Sequence, residues 1–137
     1  MILKPFPFFL KYKVGTNKID WHDWDSISEE LKRKGPGEQG IPVVINSNES
    51  NDDKSSYQGN GFSGFVSDKI SINRAVKDIR HPMCKAKEYL VDLPRASIVI
   101  PYYNEHWSTL LRTVHSVVNR TPPELLVEII LVDDASR

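Results

Sequence analysis

The sequence holds a single cysteine, Cys84, so no disulfide can close within the chain. A lone cysteine is ordinarily a small buried hydrophobe, whereas in a secreted protein an odd one points to a partner outside the chain. An excess of charge is also lacking, since Lys plus Arg number 18 and Asp plus Glu 18. A nucleic-acid binder normally gathers a basic surplus on one face, and nucleic acid is therefore excluded from the expected partners. Long apolar runs are missing too. Residues 1–14 are interrupted by Lys4, Pro5, Pro7, Lys11 and Lys13, well short of the roughly 20 apolar residues that span a bilayer and unlike a signal peptide. A membrane anchor is thus expected upstream of this sequence or not at all. With 39% hydrophobic and 26% charged residues in 137, the chain has the composition of an ordinary globular domain.

Residues 1–19 carry no clear periodicity and read as an irregular N-terminal segment. Residues 20–94 read as a helical and looped region. Within it, Trp21, Trp24, Ile27 and Leu31 recur at helical spacing, which predicts a helix over 20–34 that buries an aromatic stripe and stops at Gly35. The glycines and prolines of 35–42 predict a loop that wraps over another surface. Residues 46–56 are nearly devoid of apolar side chains and read as a solvated linker or the polar start of a short helix. Ile70 and Ile72 alternate with polar residues over 67–74, as in an extended segment or capped turn.

From residue 95 the pattern sharpens. Ser97-Ile98-Val99-Ile100 has the make-up of a buried parallel strand, and Val127 to Val132 that of a second. Between them Trp107, Leu110, Leu111, Val114, Val117 and Val118 fall at helical spacing over 106–120, ended by Thr121-Pro122-Pro123. Strand, helix and strand predict one right-handed βαβ unit, and hence an α/β fold. Ligands of open α/β sheets bind beyond the carboxyl ends of the strands. Here those ends read Pro101-Tyr102-Tyr103-Asn104-Glu105 and Asp133-Asp134-Ala135-Ser136. Aromatic faces beside carboxylates suit a nucleoside, whose base a ring can cover and whose N–H and hydroxyl groups a carboxylate can accept. No glycine lies between the first strand and its helix, so neither the dinucleotide fingerprint nor the phosphate loop is present. A diphosphate would then need a metal bridge.

Asn104 and Glu105 are expected to tie the strand end to the helix start. His115 is expected to be structural, and His22, His81 and His106 show no metal-ligand spacing. Asn48-Glu49-Ser50 and Asn119-Arg120-Thr121 match the N-glycosylation pattern; only Asn48 is placed in an exposed loop.

The run Ile98 to Glu105, with Leu110-Leu111-Arg112-Thr113-Val114 and Glu128 to Ser136, resembles the start of a GT-A glycosyltransferase domain. The narrower features are Leu111 to Val117, Arg120-Thr121-Pro122-Pro123, Gly35-Pro36-Gly37-Glu38-Gln39-Gly40, Ser67-Asp68-Lys69-Ile70 and Asp78-Ile79-Arg80. These resemble the polypeptide N-acetylgalactosaminyltransferases, a family 27-like group. The resemblance implies that residues 95–137 begin a GT-A domain that the chain does not complete. It implies transfer of N-acetylgalactosamine, with retention, from UDP-GalNAc to Ser or Thr of protein acceptors. It further implies a Mn2+ cofactor whose ligands lie downstream, and a type II membrane protein facing the Golgi lumen. By the same resemblance Pro101, Tyr103 and Asp134 contact the nucleotide-sugar, although the family commonly has Thr and His at the first two positions. Cys84 pairs with a distant downstream cysteine in the family, and no catalytic or metal-binding residue of the family falls within this chain. Two other readings are a family 2 type transferase making polysaccharide or glycolipid, and a non-catalytic regulatory or binding fragment.

Overall fold

The computed structural model describes residues 16–137; the apolar stretch over 1–14 lies outside the described residues. Four strands and five helices follow in the order β1 (Lys18–Ile19), α1 (Trp24–Lys32), α2 (Ser50–Asn60), α3 (Gly64–Lys69), α4 (Pro82–Lys85), β2 (Tyr89–Leu90), β3 (Ala96–Tyr102), α5 (Trp107–Arg120) and β4 (Leu126–Asp133), with 3-10 turns at Glu38–Gly40 and Ser47–Glu49. Strand β1 falls in the segment read as irregular, and pairs antiparallel with β2.

The βαβ unit forms as expected. Strands β3 and β4 pair in parallel, with Ile98 opposite Ile129, Ile100 opposite Leu131 and Tyr102 opposite Asp133. Burial of these strands differs from the expectation, because Ile98, Ile100 and Tyr102 are half-buried whereas Val99 is 56% exposed and Ile130, Leu131 and Val132 are exposed. Parallel sheets bury both faces only when helices cover both, and a single crossover leaves one face open. Among the described residues the buried hydrophobic core consists of Ala75 and Leu110.

Helix α1 starts later than its periodicity suggests. Asp23 accepts hydrogen bonds from Ser26 N at 2.9 Å and Ser26 Oγ at 2.7 Å, and so acts as N-cap. Asp20 instead accepts from His22 N at 2.9 Å and Trp24 Nε1 at 2.6 Å, which fixes the turn before the helix. The predicted aromatic stripe is not buried: Trp24 is 50% exposed and Leu31 is exposed. Trp21 is held by its indole N–H, which donates to Leu90 O at 3.0 Å across the β1–β2 pair.

The polar run at 46–56 takes the helical alternative and becomes most of α2. Gly61, at φ 73, closes that helix, and Ser63 opens α3 by accepting from Val66 N at 3.0 Å. Helix α3 covers Ser67, Asp68 and Lys69, where an extended segment or turn is expected; the turn follows, with Arg74 N donating to Ser71 O at 3.1 Å. The Ser63 cap decides the conformation up to Lys69, and the alternating Ile70 and Ile72 lie in the extended residue and turn beyond it.

In the loop over 35–42, Gly37 sits at φ 70, and a Cβ built on it would lie 2.9 Å from Ile70 Cδ1. Backbone and space both demand glycine. Gly37→Ala is expected to lower unfolding stability by about 2 kcal/mol, read as a shift of the urea midpoint at unchanged slope.

Candidate functional site

The two strand ends are joined by a compact set of hydrogen bonds. Asp134 N donates to Tyr102 O at 2.9 Å, continuing the ladder one step past β4. Asn104 N donates to Ser136 Oγ at 2.9 Å, and Asn104 Oδ1 accepts from Arg137 N at 2.8 Å. Ser136 is fixed in turn by Asp133 Oδ1, which accepts from Ser136 N at 3.0 Å and Ser136 Oγ at 2.5 Å. Two residues here have left-handed backbone, Asn104 at φ 46 and Ala135 at φ 59. Asn tolerates that region; for Ala it is unusual.

This geometry separates the two aspartates. Asp133 is engaged in shaping the turn. The carboxylate of Asp134 is exposed and bonds to no other described residue, so it stands free to accept from a ligand. Tyr103 is 55% exposed beside it in the chain order of the joined ends. Pro101 is exposed in β3 opposite Val132; lacking an N–H, it has only its carbonyl to offer. The expectation for Asn104 is corrected, because it ties its strand end to the neighbouring strand end rather than to α5. Asparagine's tolerance of positive φ was the available signal.

His106 stands at the N-cap of helix α5, but its side chain does not cap it. Nε2 of His106 instead pairs with Asp68 Oδ1 at 2.8 Å. The hydroxyl of Ser108 and then His106 hold the Asp68 carboxyl below the usual carboxylate range. A groove of about 860 Å3 lies elsewhere. Its lining includes Trp21, Glu30, Arg80, Val118, Arg120 and Pro122. These cluster where α5 ends and before β4 begins, the opposite end of the βαβ unit from the carboxyl termini where such folds bind ligands. The strand ends therefore remain the candidate site.

Cys84 lies exposed in α4 and is not the small buried hydrophobe expected of a lone cysteine. Asn48 is exposed, but in the 3-10 turn Ser47–Glu49 rather than an irregular loop. His115 Nδ1 lies 2.9 Å from Asn73 Oδ1, a structural contact. Among the described residues no three His, Cys, Asp or Glu side chains gather into a group that could hold a metal ion, and no helix is long and apolar enough to cross a membrane.

The Glycosyl transferase family 2 model matches residues 97–137, the βαβ unit and its strand ends. Polypeptide N-acetylgalactosaminyltransferase 10 of Homo sapiens is 56% identical over 122 residues, 89% of this chain and 20% of that protein. N-acetylgalactosaminyltransferase 4 of Drosophila melanogaster is 50% identical over 130 residues, 94% of this chain and 20% of that protein. The chain thus spans about a fifth of the length of these relatives. A crystal structure of GalNAc-T7 with UDP, GalNAc and Mn2+ superposes with a TM-score of 0.71 at 44% identity, covering 75% of this chain and 19% of that one. The likeness extends through the N-terminal region as well as the βαβ unit, and on that ground the chain belongs to the polypeptide N-acetylgalactosaminyltransferase family and carries part of its GT-A fold.

Proposed function

We propose that this chain supplies part of the donor site of an enzyme that transfers N-acetylgalactosamine from UDP-GalNAc to Ser or Thr of proteins. The observation that carries the reading is the pair of joined strand ends, which leaves the Asp134 carboxylate unengaged and Tyr103 exposed at the position where α/β sheets bind nucleotides. Asp134 would accept from a uracil N–H or a ribose hydroxyl, Tyr103 would cover the base, and Pro101 would contribute its carbonyl. The solved relative with UDP, GalNAc and Mn2+ supports the donor and the cofactor. The described residues do not themselves fit a manganese site, as no acidic or histidine cluster forms and Asp133 is engaged by Ser136. We place the metal ligands in the part of the family's length that this chain does not span. Division at residues 19/20 and 94/95, a type II protein in the Golgi lumen, glycosylation at Asn48 and a disulfide from the exposed Cys84 belong to the same reading.

Asp134→Ala is expected to weaken UDP binding by about tenfold or more, the scale of a lost hydrogen bond to a charged group. Titration of the chain with UDP, followed by saturation-transfer NMR on the uridine protons, reads this directly. Equal affinity in a variant with unchanged circular dichroism sinks the assignment of Asp134.

A further inference from the structure

We propose that Asn104 is a positioning residue of the nucleotide site, holding Tyr103 and Asp134 in register through Ser136; the inference rests on the donor-site reading above. Tyr103 lies between Tyr102, whose carbonyl accepts from Asp134 N, and Asn104, whose N–H goes to Ser136 Oγ. Asp134 lies between Asp133, whose carboxylate holds Ser136, and Ala135, at φ 59. Tyr103 is therefore flanked on both sides by bonds to the opposite loop, while Asp134 is tied to that loop through its own N–H and sits in a turn that Asp133 and Ser136 close. Asn104 contributes two of these bonds, through its backbone N–H and through Oδ1, which accepts from Arg137 N.

The backbone supports the same view. Left-handed backbone crowds Cβ against the following carbonyl, so an alanine there persists only where surrounding contacts hold it. The contacts that hold Ala135 are those to Ser136 and Arg137 on one side and the Asp134 ladder bond on the other. Asn104 supplies the partner groups for both Ser136 and Arg137. It touches no ligand in this reading. Its role is to fix the separation and facing of two side chains that must grip one nucleoside, the requirement that makes a supporting shell decisive in binding sites.

The test uses UDP as probe and the whole chain. Asn104→Gly keeps the backbone conformation and the N–H to Ser136 but removes the acceptor for Arg137 N, and is expected to weaken UDP about fivefold, the factor of one lost hydrogen bond. Ser136→Ala is expected to weaken it similarly, Ser136→Thr to restore it, and the Asn104→Gly/Ser136→Ala pair to fall short of the product of the single effects, because the two residues act as one unit. Each variant is compared at a temperature where circular dichroism shows the fold intact, so a general loss of stability would not reproduce the rescue by threonine. Wild-type affinity in Asn104→Gly, no recovery in Ser136→Thr, or fully multiplicative effects would overturn the proposal. Absence of UDP binding by the unmodified chain would instead remove the donor-site reading, and the inference with it.

Discussion

Arg112→Ala is expected to lower the unfolding free energy by about 3 kcal/mol. From α5, the Arg112 guanidinium reaches across to the end of α3. Its Nη2 donates to Ser67 O at 2.7 Å and Ile70 O at 3.2 Å, its Nε to Ser71 O at 3.2 Å, and its Nη1 to Ser67 Oγ at 3.2 Å. These carbonyls lie at the C-terminus of α3 and in the turn after it, where helix geometry leaves acceptors without partners. Burial is the main cause that draws the Arg112 pKa down, with Arg74 adding to it and Asp68 opposing. The group remains charged at any working pH. Removing it takes away four hydrogen bonds at once and leaves Ile70 O without its partner, whereas Ser67 O and Ser71 O keep their turn bonds from Ile70 N and Arg74 N. Arg112→Lys is expected to recover little, since one ammonium cannot reproduce a planar fork that reaches carbonyls on separate residues. Urea melts of both variants check this, and a lysine variant as stable as the parent would contradict the fork as the source of stability.

Glu38→Ala is expected to cost nearly as much, about 2 to 3 kcal/mol. Glu38 is only 3% exposed, accepts from Arg33 Nε at 3.1 Å and Nη2 at 3.0 Å, and accepts from Ala75 N at 3.0 Å. Ala75 is itself 2% exposed, so truncation leaves its N–H buried without a partner and Arg33 without its counter-ion. Burial pushes the Glu38 carboxyl upward, but the Arg33 and Ala75 hydrogen bonds and the Arg33 and Arg74 charges together hold it below its ordinary value. The sign of the pH dependence follows. A carboxylate with a folded pKa below the unfolded value contributes its full stability above the unfolded value of about 4.3, and loses it as pH falls through the folded pKa. Glu38→Gln is therefore expected to be less stable than the parent near neutral pH and to show a shallower loss of stability on acidification. Parallel slopes for the two proteins below about pH 4 would remove Glu38 as a source of that loss.

The βαβ unit was legible from residues alone, because β-branched runs and a helical apolar stripe follow different periods and leave little choice of element. The bounds of α5 and β4 differ from expectation by a residue at most. Exposure was not legible. Apolar content says that a strand can be buried, not that something lies on its second face, and Val99 and Ile130 remain open for that reason. In the N-terminal region, capping side chains shifted the bounds that periodicity suggested: Asp23 delayed α1, and Ser63 carried α3 to Lys69, so that the extended residue and turn begin only at Ile70. At the candidate site the aromatic and acidic residues stood out by type, whereas the difference between Asp133 and Asp134 did not. It depends on Ser136, a contact set by the conformation of Ala135 rather than by any motif. The structural roles of Glu38 and Arg112 were not legible because most of their partners are backbone groups far away in sequence, which no side-chain pattern marks.

Trp21 donates to Leu90 O across 69 positions of sequence, and Arg120 donates to Glu30 Oε2 at 3.0 Å across 90. The α2 and α3 pair, by contrast, closes through contacts such as Ser56 Oγ with Phe65 N, 9 positions apart. Loop-closure entropy grows with the span and must be met before a distant contact rewards it. Chain synthesis also delivers the N-terminus first. The α2–α3 hairpin can therefore assemble early, whereas Glu30 of α1 must wait for the end of α5 before it meets Arg120. Helix α1 consequently closes onto α5 later than α2 closes onto α3, and the delay between its synthesis and that contact is set by how far along the chain Arg120 lies.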